Sequence, residues 1–414
     1  METACVEKPK LQHPIPIFDT LNHLQNTLSL PITLDVQKDY FHAMQFLKAY
    51  RGSEATFNAY RRELERLLQW SWWVAHKTLT QLRRTDIEAF IEFCQKPPLS
   101  WIGTKNVARF IEQNGSRQVN PAWRPFVATI GKIAHSQGEV PDPKKYSLSQ
   151  KALQAIFAVI GSFFSYLIQE EVVEINPVAQ IRQKSKFLRK YQSGQVIRRL
   201  SETQWAYVIE TAEGSADQNS EGERALFIMN ALYGMYLRIS ELAANARWEP
   251  QMGHFHKDQD NNWWFTTVGK GNKQRIITVS DAMLNALKRY RQSLNLTPLP
   301  YLGENTPLIP KIRGQGPINS TRQIRLIVQQ CFDAAVVRLE LDKFTEEAEQ
   351  LKAATVHWLR HTGISDDVKH RPREHVRDDA GHGSSAITDK YIDIELRARH
   401  ASGKKKKIKP DEGE

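Results

Sequence analysis

Cysteine is scarce in this sequence: Cys5, Cys94 and Cys331 are the only three in 414 residues, they lie far apart, and no Cys-x-x-Cys occurs. That spacing suggests neither a disulfide framework nor a zinc knuckle, and it suits a reducing compartment. No apolar run reads as approaching the ~20 residues that a membrane span needs. The first residues, with Glu2, Glu7 and three prolines soon after, do not read as a signal peptide. A phosphate loop of the form Gly-x4-Gly-Lys-Ser/Thr is missing, and Gly269-x-Gly271 does not complete a dinucleotide fingerprint. Acidic charge is also in deficit, 46 Asp and Glu against 57 Lys and Arg, for a formal net charge of +11. These absences leave a cytosolic protein, without a membrane, whose balance of charge favours a polyanionic partner such as nucleic acid. The length favours two or three domains.

What is present changes character along the chain. Residues 1–35 are mixed, carry Pro14, Pro16 and Pro31, and read as a lead-in or an arm. Ser53 to Val74 reads as a helix. Ser53 is placed to cap it, Phe57, Tyr60, Leu64, Leu67 and Leu68 form an apolar stripe, and Arg61, Arg62, Glu63, Glu65 and Arg66 decorate the other face. Thr85-Asp86 opens a second helix with Ile87, Phe90, Ile91 and Phe93 inward, stopped by Pro97-Pro98. Residues 97–147 hold Pro97, Pro98, Pro121, Pro125, Pro141 and Pro143 with glycines between them, which predicts a loop-rich insertion with one or two short helices. Ser149 then caps a strong helix with Leu153, Ile156, Phe157, Ile160, Phe163, Phe164 and Leu167 on its core side, ending before Asn176-Pro177. Residues 36–181 are expected to form an all-helical bundle.

Residues 182–199 contain Arg182, Lys184, Lys186, Arg189, Lys190, Arg198 and Arg199, no acid, and a Ser193-Gly194 break. A solvated connector would look like this. So would a basic strap across a DNA backbone, where each neutralised phosphate releases counterions, and the strap is favoured. From Leu200 onward the pattern is mostly helical with one β-element. The phrase Leu232-Tyr-Gly-Met-Tyr-Leu-Arg-Ile-Ser-Glu-Leu242 embeds Arg238 between apolar residues, which is costly unless an anion or a carboxylate pairs with it. Glu241 is that carboxylate, and taken alone the segment argues for an intrahelical ion pair. Trp263–Val268 and Ile276–Val279 flank a basic tip holding Lys270, Lys273 and Arg275, a hairpin signal. Residues 320–339 read as a helix with Ile324, Ile327, Val328, Cys331 and Phe332 inward and Arg322 and Arg325 near its start.

The chemistry concentrates in the last sixty or so residues. In a helical Thr355–Thr362, His357 and Arg360 share one face. A guanidinium offers a fork that matches two phosphate oxygens, and imidazole donates or accepts near neutral pH. Ala380-Gly-His-Gly-Ser384 adds His382, and Tyr391, nine positions later, supplies a phenol that could attack phosphorus. A zinc reading of His357 and His361 fails on sequence, because Trp358 stands where a zinc protease needs glutamate. Asp366, Asp367, Asp378 and Asp379 make this stretch more acidic than a DNA-facing surface should be. Ile392–His400 reads as a further helix before a lysine-rich tail, 401–414.

These motifs resemble those of the tyrosine recombinases, the phage integrases and Xer- and Cre-like enzymes. His357-x-x-Arg360 resembles their second box, Gly381-His382 their His/Trp position and Tyr391 their nucleophile. Leu232–Leu242 is close to their first box, Gly-x-Arg-x-x-Glu-Leu, except that Gly234 lies four before the arginine rather than two. Ala380 stands where leucine is usual. The resemblance covers 36–181 loosely and 200–395 well. It implies a mainly α fold with a small β-hairpin or sheet in the catalytic domain, built as a two-domain DNA clamp. The parts would be a SAM-like helical core-binding domain over 36–181, a basic linker over 182–199 and a catalytic domain over 200–400. It also implies roles. Arg238 and Arg360 hold the non-bridging phosphate oxygens, with Glu241 supporting. Lys270 protonates the leaving 5′ oxygen, His357 shares the tyrosine proton, His382 donates to a phosphate oxygen, and Tyr391 forms a 3′-phosphotyrosyl bond. No ATP, metal or other cofactor is needed. DNA contacts would come from Lys184, Lys186, Arg189, Lys190, Lys273, Arg275, Arg322 and Arg325. The implied partners are a double-stranded recombination site, further copies of the chain as dimers on DNA and a tetrameric synapse, and an accessory DNA-bending or directionality protein. The same chemistry would serve a type IB topoisomerase-like relaxing enzyme, and the fold without the chemistry a non-catalytic DNA-binding protein.

Overall fold

Helix starts in this chain are set by side chains that satisfy otherwise unpaired amides. Ser53, Ser149, Ser201, Asn219, Ser280 and Ser320 each accept from the amide three residues on, and each precedes a helix. The computed structural model describes residues 14–24, 34–184, 198–269, 272–383 and 404, with the side chains of 136 and 182–184 excepted. It divides into two compact units, one up to Tyr191 and one from Gln192.

In the first unit the helices are α1 (Gln37–Lys48), α2 (Glu54–Trp73), α3 (Arg84–Gln95), a short α4 (Lys132–Ser136), α5 (Gln150–Gln169) and α6 (Pro177–Lys184). Their core includes Phe46, Leu64, Leu67, Phe90, Ile160 and Phe163; burying each such side chain stabilises the fold by about 1.5–3 kcal/mol. The expectation that no apolar run reaches membrane length needs correction. Helix α5, with 20 residues and a mean hydropathy of 1.6, is long and apolar enough by length and composition. Its Leu153, Ile156, Phe157, Val159, Ile160, Phe163, Phe164 and Leu167 are buried within the unit, so it is the central core helix.

Two further corrections concern this unit. Residues 97–147 are not merely loops and short helices, so the bundle is not all-helical. Strand β1 (Ile102–Gly103) pairs in parallel with β4 (Phe126–Val127), and β2 (Phe110–Gln113) pairs antiparallel with β3 (Ser116–Val119). The hairpin turns at Asn114-Gly115, both at positive φ (51° and 71°), the residue pair that a tight two-residue turn prefers. The face of α2 expected to carry solvated charges is covered: Arg61, Glu63 and Glu65 are buried. The lead-in lies across it, with the Ile17 and Phe18 amides donating to Glu65 Oε1 at 2.6 and 3.1 Å. Arg109 ion-pairs with the same carboxylate at 3.0 Å, and Arg117 pairs with Asp19 at 2.6 Å.

The second unit contains α7 (Glu202–Ala216), α8 (Ser220–Gly234), the single-turn α9 (Ile239–Leu242), α10 (Asp281–Ser293), α11 (Thr321–Leu341), α12 (Thr345–Lys352), α13 (Val356–Asp367) and α14 (Arg373–Ala380). One antiparallel sheet, in the order β5 (Phe255–Lys257), β6 (Trp263–Val268) and β7 (Gln274–Thr278), packs Phe255, Phe265 and Ile277 into the core. Leu226, Phe227, Ile324, Phe332 and Leu359 bring α8, α11 and α13 together. Gly363 decides how closely α13 approaches the end of α8. A Cβ there would lie 2.1 Å from the Tyr233 carbonyl oxygen, so only glycine fits.

Candidate active site

The Leu232–Leu242 phrase does not form one continuous helix. Helix α8 ends at Gly234, Tyr236 takes a left-handed conformation (φ +50°), and Arg238 becomes the N-cap of α9. The Arg238–Glu241 ion pair therefore forms across a helix start. The Arg238 amide donates to Glu241 Oε2 at 2.7 Å, and its Nη1 donates to Oε1 at 3.0 Å. Glu241 is fully buried. It also receives Arg275 from β7, whose Nη1 and Nη2 donate at 2.7 and 2.8 Å. Arg275, expected to contact DNA phosphate, is half-buried with its guanidinium turned to Glu241; a two-pronged ion pair needs the planar fork that a guanidinium provides.

Arg360 lies on α13, 2% exposed. Its Nη1 donates to the Tyr236 carbonyl and its Nη2 to the Ala380 carbonyl at 2.5 Å. One helical turn before it, His357 presents its ring at the surface, in edge contact with His361 at 4.3 Å between centroids. Helix α14 ends on Gly381 in the left-handed region (φ +63°), which turns the chain so that His382 follows at the site and the Gly381 carbonyl accepts from Arg238 Nη2 at 3.3 Å. All three imidazoles are held below their ordinary pKa. For His357 the causes are the atoms crowding its ring, then Arg360 and Arg238. Burial, His357 and the nearby Arg360 and His382 bring His361 down to about 3. Burial, Arg360, Arg238 and Arg275 bring His382 down to about 4. These rings are neutral at pH 7, so each has one nitrogen that donates and one that accepts. With two guanidiniums sharing the Glu241 carboxylate, the basin keeps an excess of positive charge, and Arg238 is its partly exposed edge.

Of the residues expected at the site, Arg238, Glu241, Arg275, His357, Arg360 and His382 come together from α9, β7, α13 and the turn after α14. Lys270 and Tyr391 lie outside the described residues, as do Lys186, Arg189 and Lys190; Lys184 is described only in its backbone, at the end of α6. Gly269, just before Lys270, abuts the cluster: a Cβ there would lie 2.9 Å from Glu241 Oε1. Lys273, Arg322 and Arg325 are exposed, with no ion-pair partner among the described residues.

Sequence reading missed Tyr236, Arg371, Asp367 and Asp379. The Tyr236 phenol donates to Asp367 and accepts from Arg371 Nη1 at 3.1 Å. Arg371 also reaches Asp367 at 2.9 Å and Asp379 at 2.6 Å. Asp366 accepts from the Tyr233 hydroxyl at 3.0 Å. Most of the unexpected acidity of this stretch is thus internal bracing. The available signal was the Asp367-x-x-x-Arg371 spacing, which puts opposite charges one helical turn apart.

No family model matches the sequence. Among curated proteins, the tyrosine recombinase XerD of Rickettsia prowazekii (strain Madrid E) is 30% identical over 144 residues, 35% of this chain and 43% of that protein. The tyrosine recombinase XerC of Thermodesulfovibrio yellowstonii is 28% identical over 251 residues, 58% of this chain and 70% of that protein. The match thus spans less than half the length of the first relative. Among solved structures, the XerH site-specific recombinase in its post-cleavage complex with palindromic difH has a TM-score of 0.52 at 13% identity, with 90% of each chain covered. At that identity the likeness is one of fold.

Proposed function

We propose that the chain is a tyrosine recombinase, a site-specific DNA recombinase or integrase; its 28% identity over 251 residues to a XerC and its XerH-like fold support that reading. It would cut and rejoin duplex DNA through a 3′-phosphotyrosyl bond at Tyr391. The observation that carries the reading is the meeting of Arg238, Arg360, His357 and His382, from three separate segments, in one basin of excess positive charge.

The chemistry follows from the groups. Arg238 and Arg360 offset charge on the non-bridging oxygens as the pentavalent phosphorus forms. His357, neutral, accepts the Tyr391 phenolic proton while the phenolate oxygen attacks. His382 donates its N–H to a phosphate oxygen. Lys270 gives a proton to the leaving 5′ oxygen, and the phosphotyrosyl bond retains the diester energy until a 5′ hydroxyl of a partner strand reverses the step. On this reading residues 36–181 are a core-binding domain, 182–199 a strap along the backbone with Lys184, Lys186, Arg189 and Lys190, and 200–400 the catalytic domain. Lys273, Arg322 and Arg325 supply further phosphate contacts. The partners are a duplex recombination site in the cytoplasm and other copies of this chain, two per site and four in the synapse, with an accessory DNA-bending or directionality protein.

The test is a duplex nicked just beyond the scissile phosphate, so that the cut end diffuses away. The chain should accumulate a covalent adduct that Tyr391→Phe does not form, with DNA binding kept. Relaxation of supercoils without regard to sequence would favour a topoisomerase instead, and binding without an adduct on any substrate would leave a non-catalytic DNA-binding protein.

A further inference from the structure

We propose that Tyr236 and Arg371 are positioning residues that set the carbonyl shelf on which the Arg360 guanidinium rests. The proposal deepens the recombinase reading and rests on it. Tyr236 stands two residues before Arg238, where the first-box pattern Gly-x-Arg has glycine, and it holds φ +50°, a region that disfavours side chains. A strained tyrosine persists only where its surroundings hold it. Here the ring is 1% exposed and packs with Ile364, Val376 and Ala380. Its phenol donates to Asp367 of α13. Burial and the Asp367 charge push that phenol above its usual pKa, so it stays a donor.

Arg371, in the connection between α13 and α14, ties this arrangement together. Its Nη1 reaches the Tyr236 hydroxyl at 3.1 Å and Asp367 at 2.9 Å; its Nη2 reaches Asp379 of α14 at 2.6 Å. The other Asp379 oxygen accepts from the Thr278 amide of β7 at 3.2 Å. One guanidinium therefore braces the loop before Arg238, two helices and the hairpin strand that carries Arg275. The two carbonyls that receive Arg360 belong to this frame: Tyr236 itself, whose left-handed turn aims its oxygen at Nη1, and Ala380, next to Asp379. If the frame loosens, Arg360 loses its aim. Neither Tyr236 nor Arg371 is a catalytic residue, because each acts through Arg360.

The test uses the full chain with Tyr236→Phe, which removes one oxygen, and Arg371→Lys and Arg371→Gln. Each is assayed below its own thermal midpoint on a nicked duplex with either an ordinary scissile phosphate or a neutral methylphosphonate. On the phosphate, cleavage should slow about 10- to 100-fold in Tyr236→Phe and Arg371→Gln, the scale of an ångström-sized misplacement, while duplex affinity stays within about twofold; Arg371→Lys should recover part of the rate. On the methylphosphonate, which has no charge for Arg360 to offset, the deficit should shrink to about threefold or less, as it should for Arg360→Ala. Variants that cleave the phosphate at the parental rate overturn the proposal, and so do variants equally slow on both substrates. If the parent chain itself forms no adduct, it is the recombinase reading that fails.

Discussion

Replacing Glu241 with glutamine should unsettle both the fold and the chemistry of the second unit. The carboxylate is 1% exposed and accepts from the Arg238 amide, Arg238 Nη1, and Arg275 Nη1 and Nη2, at 2.7, 3.0, 2.7 and 2.8 Å. Glutamine keeps the shape, removes the charge and turns an NH2 group toward guanidinium donors. Arg275, with a side chain 9% exposed, would then be a nearly buried cation without its counter-charge, in a place where burial already lowers its pKa. Breaking such a pair from one side costs about 3–5 kcal/mol, a large part of the ~5–15 kcal/mol that holds a domain folded. Arg238, more exposed, adds little to that figure because water screens it. Equilibrium unfolding in urea should show the loss. The apolar pair Glu241→Leu with Arg275→Met should regain most of it, since no charge is left stranded. Cleavage should stay about 100-fold down in that double variant, because Arg238 has lost its anchor. A loss below about 1 kcal/mol for Glu241→Gln would refute the reasoning, and so would full cleavage by the double variant.

Other outcomes follow from the same structure. Asp39 is buried and pushed up to about 6 chiefly by desolvation, despite donors from Trp72 and Leu79; because its folded pKa exceeds the unfolded value of 3.8, stability falls as pH rises from about 4 through 6. Asp39→Asn should remove that slope and gain on the order of 1–3 kcal/mol at pH 7, read by urea melts. His382 has the opposite sign: its folded pKa of about 4 lies below the ordinary 6.5, so its stability contribution is complete above pH 6.5 and is lost on acidification toward 4. His382→Asn should flatten that part of the profile, and an anion beside the ring should raise its pKa, so that DNA binding tightens as pH falls toward about 4. Gly363→Ala places a methyl 2.1 Å from the Tyr233 carbonyl and should cost about 2 kcal/mol or more in thermal or urea unfolding.

Local rules carried much of the fold. The starts of α2 and α5 were legible from Ser53 and Ser149 with the apolar stripes behind them, and the β6–β7 hairpin from two β-rich runs around a basic tip. The Asn114-Gly115 turn is equally local, a two-residue signal set within a proline-rich stretch that otherwise reads as loop. What stayed hidden depends on distant partners. Nothing near Glu65 says that residues 15–19 and Arg109 will cover it. Nothing near Arg275 says that it will turn inward to a carboxylate 34 positions earlier. At the site, an arginine among apolar residues already demanded a counter-charge, so the Arg238–Glu241 pair was visible. The left-handed Tyr236 was not, because only the Asp367–Arg371–Asp379 frame makes that conformation tolerable.

On the proposed function, the Tyr391 phenol takes the broken strand. The most direct measurement is to trap the complex on a nicked duplex, digest protein and DNA, and locate the nucleotide remnant by tandem mass spectrometry. A 3′-linked nucleotide is expected on the Tyr391 peptide and on no other. A remnant on a different residue, or an adduct that forms equally well in Tyr391→Phe, would contradict it.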